Sequence, residues 1–188
     1  DQPQPGFNHW ESFRGQGVYY NPTFNINGKR VKQPGGSYTT DLLTDHTIQW
    51  LGARDKKKPF FVYLSHKGVH AEFQPGKRHE GKYANMPIVC PPSMYLTATD
   101  SSKSFGVRTA PNTPVNYRDI PNWVRRQRYS WHGVDYMYHG QIQFDQFYHL
   151  YLETLMAVDE SVERVMNWVK ENNLEKNNIT NCSVYNYI

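Results

Sequence analysis

Apolar positions along this chain follow distinct rhythms, and each rhythm predicts an element. Phe60-Phe61-Val62-Tyr63-Leu64 is apolar or aromatic without alternation, which predicts a short strand covered on both faces and entered at Pro59. From Phe144 to Val169 the residues Phe144, Phe147, Tyr148, Tyr151, Leu155, Val158, Val162, Val165, Met166 and Val169 recur near the helical period, predicting a long helix with this stripe in the core. Residues 16–32 predict a hairpin: Val18-Tyr19-Tyr20, then Thr23 to Ile26, a type I′ turn at Asn27-Gly28, and Lys29-Arg30-Val31 returning.

Asp41 to Leu51 carries Leu42, Leu43, Ile48, Trp50 and Leu51 behind Thr39-Thr40, predicting a threonine-capped helix that feeds the 60–64 strand. Helix followed by buried strand is the grammar of an α/β fold. Residues 74–121 are rich in Pro, Gly, Ser, Thr and Asn and lack a period, so a long irregular excursion is expected. Pro121-Asn122-Trp123 opens a short helix through Arg128. The stretch Trp131 to Gly140 is aromatic and histidine-rich; His132, Asp135 and His139 have a spacing that would share a helix face as metal ligands. Gly133 and Gly140 oppose a helix there, leaving a surface loop whose Trp131, Tyr136 and Tyr138 suit stacking on a sugar ring.

The candidate chemistry lies just past the predicted strand. Ser65, His66, Lys67 and His70 follow Leu64 directly, and α/β sheets bind ligands outside the carboxyl ends of their strands. For any one of these histidines alone, a solvated loop is the simpler reading.

This segment, with Gly6-Phe7, Trp10, Gly15-Gln16-Gly17, Tyr19-Tyr20-Asn21-Pro22, Asn27-Gly28, Tyr38-Thr39-Thr40-Asp41, Thr44-Asp45 and the run Tyr151 to Val162, resembles the middle of a type I sulfatase. The resemblance covers about residues 5–178. It implies part of an alkaline-phosphatase-like mixed sheet flanked by helices, incomplete here: residues 1–179 as the middle of one catalytic domain and residues 180–188 as a tail departing from the family pattern. It implies a sulfuric ester hydrolase whose complete form uses formylglycine and a calcium ion, neither with its ligands in this chain, so the fragment alone is expected to be inactive. His70 aligns with the family's sulfate-contacting histidine; Lys67 beside it is a second candidate for binding substrate. Asp41, Asp45 and Asp159 are expected as caps or structural partners, and Ser65 and His66 as holders of the turn. Cys90-Pro91-Pro92-Ser93-Met94 imitates the nucleophile motif, but Met94 stands where the family has Arg, so Cys90 is read as an ordinary loop or packing thiol. Rival readings are a phosphate or phosphonate ester hydrolase of the same superfamily and an inactive sulfatase-like protein that binds glycans.

Composition bears on the partner. The net charge of +4 and a pI near 9.0 suit an anionic substrate such as a sulfated small molecule or glycan. The runs Lys56-Lys57-Lys58, Lys77-Arg78-His79 and Arg125-Arg126-Gln127-Arg128 are each read as solvated faces, and no nucleic-acid-binding motif is present. Two cysteines form no disulfide framework, and no run approaches the roughly 20 apolar residues of a membrane span. By resemblance the compartment is extracellular, periplasmic or lysosomal. Asn178-Ile179-Thr180 and Asn181-Cys182-Ser183 match glycosylation sequons in the divergent tail.

Overall fold

The computed structural model describes residues 2–70, 72–89, 121–127 and 144–177. The Cys90–Met94 motif, the Trp131–Gly140 loop and the 180–188 tail lie outside these residues. The chain divides into two units, one of residues 1–80 with 153–188 and one of residues 81–152.

The first unit opens with a small antiparallel sheet of β1 (Glu11–Ser12), β2 (Thr23–Ile26) and β3 (Lys29–Lys32), in that spatial order. The β2–β3 hairpin forms as its sequence predicts. Ile26 pairs with Lys29, and Asn27 (φ 50°) and Gly28 (φ 91°) both take positive φ, the demand of a type I′ turn. Asn25 Oδ1 accepts the Gly28 N–H at 2.8 Å, and the Asn27 Oδ1 accepts the Trp10 N–H at 2.8 Å, stitching the turn to the approach of β1. β3 is exposed along its length, whereas Phe24 of β2 is fully buried. Val18-Tyr19-Tyr20 does not join this sheet; it contributes a single bridge from Tyr20 to Tyr38.

Helix α1 runs over Thr39–Ala53. The threonines expected to cap it lie inside its first turn instead. Tyr38 takes the cap position without a side-chain cap, because the Thr39 hydroxyl donates to the Val18 carbonyl (2.6 Å) and so ties the helix start to the preceding chain. At the other end the Arg54 guanidinium lies 4.4 Å over the Phe60 ring and 5.5 Å over Trp168, fixing where the chain leaves the helix.

The next segment corrects the strand prediction. Residues 59–66 form no helix and, among the described residues, join no ladder; burial alternates residue by residue from Phe60 to Ser65, the pattern of an extended chain. Phe61 and Tyr63 are 72% and 78% exposed, while Phe60, Val62 and Leu64 are half-buried. An extended chain points successive side chains to opposite faces, and only one face is covered here.

Helix α2 (Asn122–Gln127) matches the predicted short helix, and α3 (Phe144–Glu171) the predicted long one. The deeply buried face of α3 is not the whole apolar stripe. Glu153, Thr154, Ala157, Ser161 and Val169 are buried, whereas Met166 is 37% exposed. Thr154, Ala157 and Ser161 on this face are small, and Ser161 meets α1, where the Thr44 hydroxyl donates to the Ser161 hydroxyl at 2.6 Å. No described helix is long and apolar enough to cross a membrane.

Phe24 has no exposed area and packs near Phe13 (6.5 Å between ring centroids) and the edge of His46 (6.1 Å). Phe24→Ala should destabilise the chain by about 3–5 kcal/mol, read as a lower urea midpoint at constant slope; a loss below about 1 kcal/mol would remove Phe24 from the core.

Candidate functional site

The extended segment delivers its polar cluster to a turn. His70 N–H donates to the Lys67 carbonyl at 2.9 Å, closing residues 67–70. Both predicted site residues therefore sit on one turn. Lys67 is buried to 9% exposure, Val69 to 7%, and His70 is half-buried. The Lys67 ammonium lies 4.5 Å over the Tyr19 ring. Burial lowers its pKa, opposed by the negative field of Glu72.

Behind the turn are three tyrosines. Tyr19, Tyr38 and Tyr20 donate their hydroxyls to the carbonyls of His70 (2.6 Å), Gln74 (2.9 Å) and Pro75 (2.6 Å). Burial raises the pKa of all three phenols, so they remain protonated donors at neutral pH. Tyr19 and Tyr38 stack at 6.1 Å between centroids and form a core cluster with Ala157.

His66 was expected to hold the turn with Ser65. Its Nε2 lies 2.9 Å from the Ser161 hydroxyl on α3, and its Nδ1 is buried without a hydrogen-bond partner among the described residues. Ser65 is exposed and lines, with Trp10, His46, Trp50, Phe61 and Tyr63, a cavity of about 300 Å³ beside the extended segment. Glu11 closes part of its wall, 2.7 Å from His46 Nδ1 and 3.6 Å from His9 Nε2.

A charge network that sequence reasoning missed centres on Arg78. Arg78 makes a two-pronged contact with Asp41 at 2.8 Å on each prong and also grips Glu160. Its guanidinium pKa is raised, chiefly by the Asp41 hydrogen bonds. Burial pushes the Glu160 carboxyl up, but Arg78 and His79 outweigh it and hold it below its ordinary value. His79 is 2% exposed and 3.2 Å from Glu160, so Lys77-Arg78-His79 is not simply a solvated face. Asp41 and Asp45 are structural partners as expected, Asp45 pairing with Arg164. Asp159 is exposed. Only the chain distance hid this network: Arg78 and Glu160 are 82 positions apart.

Chemically, the 67–70 turn carries an ammonium and an imidazole three residues apart, groups of the kinds that bind anions and transfer protons. It offers no metal site: no group of three His, Cys, Asp or Glu side chains that could hold an ion occurs among the described residues.

Comparison with known proteins adds to this. A family model described as Sulfatase matches residues 2–179. The N-acetylglucosamine-6-O-sulfatase of Bacteroides thetaiotaomicron is 27% identical, over 90% of this chain and 37% of that protein. The N-acetylglucosamine-6-sulfatase of Capra hircus is 25% identical, over 86% of this chain and 25% of that protein. The extracellular sulfatase SULF-1 homolog of Drosophila melanogaster is 26% identical, over 89% and 13%. A solved protein in complex with its substrate D-glucosamine-2-N,6-O-disulfate shares the fold, with a TM-score of 0.64 at 24% identity over 93% of this chain and 43% of that one. The chain thus spans less than half the length of each of these relatives.

Burial holds the His66 imidazole down at about 4 against an ordinary 6.5, with Asp41 opposing. Unfolded His66 takes its proton below about pH 6.5 and folded His66 only near 4, so stability is full above that window and falls as the pH drops through it. The expected loss is up to about 3 kcal/mol. In urea titrations from pH 7 to 4.5, the gap between the wild type and His66→Gln should narrow as the pH falls; parallel curves would show that His66 is not buried in its neutral form.

Proposed function

The chain belongs to the sulfatase family, and from that premise we propose that the protein built around it hydrolyses sulfate esters of amino sugars in sulfated glycans. The observation that carries this reading is the pairing of Lys67 and His70 on one turn at the end of the extended segment. Hydrolysis adds water across the sulfur–oxygen bond and releases sulfate and an alcohol. Negative charge gathers on the sulfuryl oxygens and on the departing oxygen, so a fixed cation and a proton donor aimed there lower the barrier. In this scheme Lys67 binds the sulfate oxygens. His70 contacts sulfate and gives its proton to the departing alcohol. The substrate class follows the names of the relatives, which act on N-acetylglucosamine sulfates, and the net charge of +4 favours an anionic glycan.

The family implies a calcium ion and formylglycine. The described residues do not fit the metal, since no suitable cluster occurs among them, and the carboxylates of Asp41 and Glu160 are already held by Arg78. Cys90 lies outside the described residues. We read residues 1–179 as the middle portion of one catalytic domain, and an extracellular or lysosomal setting, the former supported by relatives named extracellular sulfatases.

In the full-length enzyme, His70→Ala should lower turnover of N-acetylglucosamine 6-sulfate by about 10²- to 10⁴-fold. The loss should be much smaller on 4-nitrophenyl sulfate, whose leaving group departs without a proton. Equal losses would assign His70 to sulfate positioning alone, and no loss on either substrate would remove it from the site.

A further inference from the structure

Lys67 and His70 are joined by a backbone hydrogen bond across a turn that contains Gly68. One side chain from far along the sequence meets both of its ends. The Tyr19 ring lies 4.5 Å beneath the Lys67 ammonium, and its hydroxyl donates to the His70 carbonyl at 2.6 Å. Tyr19 is itself held fast. It is 1% exposed, stacked on Tyr38 at an interplanar angle of 16°, and its carbonyl accepts the Thr39 N–H at the start of α1 (2.8 Å). A phenol has few rotatable bonds, so a buried, stacked ring transmits position with little slack. Tyr38 and Tyr20 make the same kind of bond further along, to Gln74 and Pro75; they tether the following loop and not the turn.

We infer that Tyr19 is a positioning residue, holding Lys67 through its ring face and His70 through its hydroxyl so that cation and imidazole keep one relative placement. The inference rests on the sulfate-facing roles proposed for Lys67 and His70. It adds a residue that acts through both.

Tyr19→Phe is the discriminating change, because it keeps the ring under Lys67 and removes only the bond to His70. Tyr20→Phe deletes an equivalent bond at Pro75 and serves as the control. In the full-length enzyme, Tyr19→Phe should lower kcat on N-acetylglucosamine 6-sulfate by about fivefold to tenfold, the scale of one hydrogen bond. KM should change little, since the Lys67 contact survives, and Tyr20→Phe should leave both parameters within about twofold. In a His70→Ala background, Tyr19→Phe should add less than about twofold, as expected of residues acting through one another. An undiminished loss in that background, or an equal loss in Tyr20→Phe, would overturn the inference. Hydrogen exchange separates its failure from failure of the His70 role. If His70→Ala proves silent on both substrates, the sulfate role of His70 falls. Faster exchange of the His70 amide in Tyr19→Phe than in Tyr20→Phe, at unchanged global stability, would still support the positioning contact; equal exchange would refute it.

Discussion

The contact between Thr44 on α1 and Ser161 on α3, hydroxyl to hydroxyl at 2.6 Å, sets the geometry from which the candidate site is built. Two helices can place such short side chains in touch only where both present small residues, and Thr40, Thr154 and Ala157 extend that small, buried surface. His66 then closes on Ser161, which ties the end of the extended segment to α3. Ala157 packs against Tyr19 and Tyr38, the rings beneath the 67–75 loop. Enlarging Gly68 would be felt at once: a Cβ there would lie 3.0 Å from the Val158 side chain, closer than ordinary packing allows.

Electrostatics reinforces this arrangement. Arg78 joins the first turn of α1, through Asp41, to Glu160 on α3, bridging the elements that Thr44 and Ser161 already link. These charges are partly exposed, and exposed pairs contribute modestly on their own; the two-pronged Asp41 geometry gives direction more than energy. The buried groups count for more. Thr40 Oγ1 and Thr154 Oγ1 are buried without hydrogen-bond partners among the described residues, as is one nitrogen of His66, and unsatisfied buried polar atoms carry a real cost. Thr40 and Thr154 both approach Gly68, so this cost falls beside the 66–70 turn.

The extended segment shows what an apolar pattern means. Phe60 to Leu64 asks for cover on both faces, and the described residues supply cover on one. Phe61 and Tyr63 stand exposed on the other, with Phe61 turned toward Phe7 at 6.3 Å. Exposed aromatic surface along an unpaired extended backbone is costly in water and prone to pairing.

What the sequence determined by itself was local. Asn27-Gly28 dictates its turn because only residues tolerant of positive φ fit there; the long periodicity of 144–169 dictates α3; and the order of short motifs carried the family. The placement of Lys67 and His70 just beyond Leu64 was equally legible, since both lie within a few residues of the segment that delivers them. Only the tertiary structure decided which face of α3 would be buried, because that depends on the size of the residues α1 presents and not on hydrophobicity along α3. It likewise decided that Tyr19 would serve both Lys67 and His70, and that Arg78 would find Asp41 and Glu160. Those partners are 37 to 82 positions apart, and no periodicity or motif encodes a contact that exists only after the helices have packed.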